Sequence, residues 1–195
     1  MKKFIFSLVL ALIMLGFSAK VYSTCPDGYT ETSKTFTIGT CVYNVTICYM
    51  CAVGPQPLTY LQINEFYKLV RNCNQTLSTQ QVLDALNNEL MNLITELCGP
   101  LIPPCNGINY KRFVQKDSKC WYKTNDRGDI HYKICNDCYC CIPYKYCWDT
   151  QNERTIITQD GNPYWDCTTD CTDSEPSDPY WGQSTGCFYL GTPCN

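Results

Sequence analysis

The chain contains a single histidine, His131, and that scarcity limits its chemistry. Any Ser-His-Asp or Cys-His arrangement would have to use it. Because His131 alternates with Ile130 and Tyr132 in a predicted short strand, a half-exposed structural role fits it better. Aliphatic residues are also scarce. Leu, Ile, Val and Phe make up about 19% of residues 24–195, a level at which a chain without other support stays disordered. Basic residues end at Arg154, while Asp160, Asp166, Asp170, Asp173, Glu175 and Asp178 follow it. The formal net charge is −3, and about −6 once the first 23 residues are set aside; an acidic chain without a basic stripe argues against nucleic acid as a partner. No Gly-rich phosphate loop and no nucleophile elbow occur. Past Phe17 no run is apolar enough to span a bilayer, so no transmembrane span is expected.

The chain is rich in cysteine. It has 17 cysteines: Cys25, Cys41, Cys48, Cys51, Cys73, Cys98, Cys105, Cys120, Cys135, Cys138, Cys140, Cys141, Cys147, Cys167, Cys171, Cys187 and Cys194. That density marks a disulfide scaffold of an oxidising compartment. Each bridge typically adds about 2–4 kcal/mol by restricting the unfolded chain, which offsets the thin core. The segment from Cys135 to Cys147 holds five of them and should tie several parts of the chain together. Neighbours make strained bonds, so Cys140 and Cys141 are each expected to reach a distant partner. An odd count leaves one thiol over, either a buried bystander or a link to a second chain in a covalent dimer.

Met1-Lys2-Lys3 followed by apolar Phe4–Phe17 reads as a secretory signal peptide spanning 1–23, with cleavage after Ser23 or, second, near Ser18. The protein is therefore expected to be secreted, to the extracellular space or the cell surface. Cys25 lies close enough to the signal to raise lipidation, but Tyr22-Ser23-Thr24 is a poor lipobox. Asn44-Val-Thr46 and Asn74-Gln-Thr76 are acceptor sequons that matter only in a glycosylating host.

Residues 32–51 read as a β-hairpin turning at Gly39-Thr40, with Ile38 opposite Cys41 and Phe36 opposite Tyr43. Two helices are predicted next, over about 60–72 and 79–98. Thr59 with Gln62 and Ser78 with Gln81 each fit a capping box, and Gly99-Pro100 stops the second helix. Beyond Cys105 the pattern changes to short strands: 110–115, 119–124, 129–135, 144–149 and 154–158. The predicted fold is α+β. An N-terminal β-hairpin packs with an αα-hairpin in 24–106, a small disulfide-rich antiparallel region covers 107–160, and an irregular acidic tail covers 161–195. All of 24–195 could equally be one domain. Cys120-Trp121…Asn125-Asp-Arg127 is echoed by Cys147-Trp148…Asn152-Glu-Arg154, as if one hairpin unit were used twice.

The Cys25-Pro-Asp-Gly-Tyr29 start, Cys48-Tyr-Met-Cys51, the Cys120-Trp121 strand and the Cys194 tail together resemble secreted, cysteine-rich bacterial proteins without an assigned activity. The resemblance implies an extracellular location and no particular chemistry.

Candidate sites are few. Tyr164-Trp165 and Tyr180-Trp181 could stack on a glycan or a protein, or could cover disulfides in a thin core. Asp166, Asp170, Asp173 and Glu175 offer hard oxygen ligands for Ca²⁺, or form a solvated acidic loop. Cys48-x-x-Cys51 and Cys135-x-x-Cys138 have redox spacing but sit at strand ends, whereas a redox pair belongs at a helix N-terminus. No catalytic set stands out. The leading expectation is a non-enzymatic binding or surface-structural protein. An extracellular hydrolase with a carboxylate pair and a thiol-disulfide oxidoreductase are the rivals.

Overall fold

The computed structural model describes residues 25–51, 58–70, 73–74, 76–99, 102–106, 109–135, 137–168, 171–191 and 194. The predicted signal segment lies outside them.

The hairpin forms in the predicted register. Strands β1 (Thr30–Ile38) and β2 (Cys41–Met50) pair with Ile38 opposite Cys41 and Phe36 opposite Tyr43. Gly39 takes a φ of 62°, as a two-residue turn with a glycine-type first position requires. Val45 and Ile47 enter the core. Cys48 bonds Cys25, which leaves that thiol unavailable for acylation.

The predicted αα-hairpin is not there. Its first half is a strand, β3 (Thr59–Lys68). Leu61, Ile63 and Phe66 are buried on one side of it; a bulge in the β2 pairing at Thr46/Ile47 absorbs the break in alternation between Ile63 and Phe66. The Thr59–Gln62 spacing that resembled a helix cap instead places both side chains, buried, in the middle of a sheet. Local capping chemistry lost to β-branched and aromatic residues that could pair on both edges. The second predicted helix does form. In α1 (Thr79–Asn92), Ser78 caps the Gln81 N–H and the Gln81 side chain returns to the Ser78 N–H. A short α2 (Ile94–Leu97) follows. Val82, Leu83, Leu86 and Leu90 form the buried stripe of α1, which packs on β1 and β3.

The fold is therefore mostly β, one mixed sheet with α1 on its core side, and not α+β. The remaining strands are β4 (Lys111–Ser118), β5 (Cys120–Asp126), β6 (Asp129–Ile134), β7 (Cys138–Asp149), β8 (Arg154–Gln159), β9 (Tyr164–Cys167) and β10 (Phe188–Tyr189). β3 is the hub. It has β2 on one edge; on the other its first half pairs in parallel with β4 and its second half antiparallel with β6. β7 forks in the same way, with β4 on one edge and β8 and β9 sharing the other. Strands from 24–106 and 107–160 are thus interleaved in one sheet. The two echoed segments are both hairpins with different loops: Asp126 faces Asp129 in one and Asp149 faces Arg154 in the other.

Eight disulfides secure this sheet. Cys41–Cys73 and Cys51–Cys98 clamp the chain around α1 to the hairpin. Cys105–Cys147 holds the entry to β4. The cysteine-dense segment ties in the tail as expected, through Cys135–Cys187, Cys138–Cys167 and Cys140–Cys194, with Cys120–Cys171 beside them. One expectation fails. Cys141 has no distant partner; it is the odd thiol, buried with 1% exposure.

Candidate functional site

The tail after β9 has little secondary structure but is closely fixed, and β5 fixes it. Trp121 and Lys123 share the core-facing phase of that strand. A buried ammonium needs acceptors, and the tail provides them. Lys123 Nζ, on a side chain 4% exposed, donates to Pro176 O at 2.8 Å and to Asp178 Oδ1 at 2.9 Å, and pairs with Glu175 Oε1 at 2.9 Å. The rings of Tyr132 and Phe188 lie 5.4 and 5.9 Å away. Burial works against the charge, but the hydrogen bonds that Lys123 donates to Glu175 and Asp178 more than offset it, so the ammonium is held above its ordinary range.

Two residues further along β5, Asn125 holds the next part of the tail. Its side-chain amide donates to Pro179 O at 2.9 Å, its carbonyl accepts from Gly182 N at 2.9 Å, and its N–H donates to Gln183 O at 3.1 Å. Gln183 N closes a tight turn on Tyr180 O at 2.9 Å, and Gly182 supplies the positive φ of 72° that such a turn needs at its third position. Tyr180 and Trp181 form the outer corner of that turn, 82% and 73% exposed. The sequence left open whether these aromatics cover disulfides; here they project into solvent from a backbone bonded on both sides.

A cavity of about 330 Å³ lies between β3, β6 and the start of α1, lined by Tyr67, Lys68, Thr79, Asp129, Tyr132 and Asp178 among others, with neither Tyr180 nor Trp181 in its lining. Asp178 lines the cavity two residues before Tyr180, and Asn125 stands directly across β5–β6 from Ile130, another lining residue.

The other aromatic pair is elsewhere. Tyr164 and Trp165 lie on β9 opposite Cys141 and Cys140, half-exposed, with Lys119 Nζ 5.0 Å from the Trp165 ring. Lys119 and Asn125 bracket β5, so the two pairs are separated by about 20 Å at the usual strand rise. They do not form one platform.

The proposed calcium ligands are likewise dispersed. Asp166 faces Lys116 at 3.7 Å. Glu175 is held by Lys123 and accepts from Thr79 Oγ1 and Tyr132 OH, each at 3.1 Å. Asp173 contributes its backbone carbonyl to Tyr189 N at 2.7 Å, and Asp170 lies outside the described residues. Among the described residues no group of three or more His, Cys, Asp or Glu side chains is arranged to hold a metal ion.

Neither Cys-x-x-Cys pair closes on itself. Cys48 and Cys51 bond Cys25 and Cys98, and Cys135 and Cys138 bond Cys187 and Cys167. His131 is placed structurally: Nδ1 lies 2.6 Å from Glu65 Oε1, and its ring stacks on Tyr67 at 4.1 Å.

A second cavity, of about 280 Å³, lies between α1 and the core side of the sheet. Asp84, Asn87, Gln115, Asp117 and Tyr144 line it. Burial pushes the Asp117 carboxyl up to about 7; the Gln115 Nε2 hydrogen bond at 2.8 Å opposes the shift and the nearby Asp84 charge adds to it. Gln115 Oε1 has no hydrogen-bond partner. The sequence analysis missed both Asp117 and Lys123. The available signal was phase: Asp117 shares its side of β4 with Phe113, and Lys123 shares its side of β5 with Trp121.

No family model, curated protein or solved structure matches this chain.

Proposed function

We propose that the protein acts outside the cytoplasm as a disulfide-stapled, non-enzymatic binding protein, and that Tyr180 and Trp181 form its contact surface. Eight bridges fit an oxidising compartment, where such bonds persist. The carrying observation is the combination of 82% and 73% exposure with a backbone fixed by Asn125. Exposed aromatic area is unfavourable in water and is a common energetic centre of contact surfaces. A fixed backbone removes much of the ordering cost of binding. The test is an array of immobilised glycans and peptides probed with the wild type and with Tyr180→Ala/Trp181→Ala. Ligands of the wild type should be lost by the double variant at unchanged thermal midpoint; full retention of every ligand overturns the reading.

A second reading rests on the cleft beneath α1. An acid held protonated near a second carboxylate is the pairing that glycoside hydrolysis uses, and Asp117 and Asp84 share that cavity. Chromogenic glycosides turned over by the wild type and not by Asp117→Asn would support it. No turnover of any of them by the wild type would remove it.

A further inference from the structure

The cavity beneath α1 presents hydrogen-bond acceptors with no donor to meet them. We propose that it binds a ligand carrying a primary ammonium group on a short apolar stem. The proposal does not rest on Tyr180 and Trp181. It also differs from the hydrolase reading of the same cleft, because hydrolysis needs Asp117 protonated and an ammonium holds it ionised.

The carrying observation is Gln115. Its side chain is buried, the residue being 2% exposed, and Oε1 has no hydrogen-bond partner although it stands in the wall of the cavity. The amide cannot turn round to hide that atom. Nε2 donates to Asp117 Oδ1 at 2.8 Å and to Asn87 O at 3.4 Å, and a backbone carbonyl only accepts. Swapping the two ends would set oxygen against oxygen at Asn87. Oε1 is thus left facing the space, and a buried acceptor without a donor is costly.

Charge points the same way. Asp117 is 9% exposed, and Asp84 reaches the cavity from α1 and acts on it with like charge. Tyr144, from β7, is the other titratable group there; burial and the Asp117 charge keep its hydroxyl protonated. Among the described residues lining the cavity there is no Lys, Arg or His. Lys116, next to Asp117 in the chain, leaves the opposite face of β4 and pairs with Asp166 at 3.7 Å. Elsewhere the protein meets such acceptors from within, as Lys123 does for Glu175, Asp178 and Pro176 O. Beneath α1 the acceptors are in place and the cation is not.

Shape sets the rest of the ligand. The cavity, about 280 Å³, is a little under the ~300–1,000 Å³ of most ligand pockets. Across β4–β7, Gln115 stands opposite Ile142, and Met91 and Pro163 extend the apolar side. An ammonium has three donors, for Gln115 Oε1 and the two carboxylates, and methylenes behind it would lie on Ile142 and Met91. Exposed Asn88 and Gln159 stand at the rim. A divalent ion asks for about six to eight oxygens and would leave the apolar wall bare. A small free amine and a lysine side chain present the same chemistry.

The test titrates the oxidised full chain in amine-free phosphate buffer, by calorimetry and by NMR of the Gln115 side-chain amide. The probes are butylamine, Nα-acetyl-lysine amide and a capped Gly-Gly-Lys-Gly-Gly peptide. Their uncharged counterparts are butanol and the two Nε-acetylated lysine compounds. At least one ammonium probe should bind and shift the Gln115 amide signal, and its counterpart should bind about tenfold or more weakly. Asp117→Asn keeps the acceptor for Gln115, and Asp84→Asn keeps one for Gln80 Nε2. Each should weaken binding about tenfold or more without lowering the thermal midpoint. Binding by butylamine alone would make the natural ligand a free amine; binding by the peptide as well would make it a lysine of another protein. The proposal is overturned if no ammonium probe binds, if the counterparts bind equally well, if the Gln115 signal does not move, or if both variants bind as the wild type does.

Discussion

Cys140 and Cys141 are neighbours on β7 whose side chains leave opposite faces of the sheet, and only Cys140 is bonded, to Cys194. Cys141 sits across from Lys116 in β4 and from Tyr164 in β9. Burial pushes its thiol pKa up, and the Lys116 charge, which works the other way, does not overcome that. The same burial keeps it from reaching a second chain, so a covalent dimer through this thiol would require the sheet to open.

The first prediction follows. In native protein at pH 8, a thiol reagent should titrate close to none of Cys141 within minutes, and one equivalent after denaturation without reductant. Cys141→Ser should fold with all eight bridges, shown by non-reducing peptide mapping. Rapid stoichiometric labelling of the native state would contradict the buried placement.

The cysteine arrangement shows what was legible from sequence. Crowding between Cys135 and Cys147 implied a segment that ties distant parts together, and strain argued against a Cys140–Cys141 bond. Which of the two would be left over depends on the face each one presents, and that needs the strand phase of β7. The hairpin register was legible because Gly39 and the alternation of Phe36, Ile38, Cys41 and Tyr43 are local signals. β3 was misread because Thr59–Gln62 satisfies a helix-cap pattern, whereas its strand identity comes from β2, β4 and β6, all supplied from elsewhere in the chain. Of the site, Tyr180 and Trp181 were visible as residues. Their mounting on Asn125 was not, because it arises from contacts across more than fifty positions.

A bridge deep in the junction should be costly to lose. Cys120–Cys171 closes a separation of 51 residues and is buried at both ends. Chain-entropy reasoning puts its contribution at about 4 kcal/mol. Cys120→Ser/Cys171→Ser should lower the denaturation free energy by roughly that amount and raise amide exchange at Leu190, whose N–H bonds the neighbouring Lys119 O at 3.0 Å. A loss under about 1 kcal/mol would show that the sheet pairing holds the tail without the bond.

Lys123 should couple stability to binding without touching ligand. Lys123→Met keeps the stem that packs under Tyr132 and Phe188 but removes the donor to Pro176, Asp178 and Glu175. Glu175 and Asp178 can rehydrate, being partly exposed, so the expected loss is about 1–3 kcal/mol. Exchange of backbone amides over 178–183 should rise, and affinity at Trp181 should fall by reduced preorganisation. Unchanged exchange with weakened binding would instead place Lys123 in the ligand contact.

The buried acid of β4 should make stability fall with rising pH. Asp117 has a folded-state pKa of about 7, against an unfolded value of about 3.9. The native state then holds this proton more tightly than the unfolded chain does. Its contribution is fully present below about pH 4, and is lost as pH rises through 7. Above that range a charge is trapped beneath α1, beside Asp84 and the polar groups of Asn87 and Gln115. Asp117→Asn keeps an acceptor for Gln115 Nε2 and carries no charge. At pH 8 the variant should be more stable than the wild type by about 2–4 kcal/mol, each pKa unit being worth ~1.4 kcal/mol, and the difference should vanish at pH 4. Thermal melts of the two proteins at pH 4, 6 and 8 decide it: a wild type whose midpoint does not fall relative to the variant between pH 4 and 8 would show that Asp117 stays ionised and solvated.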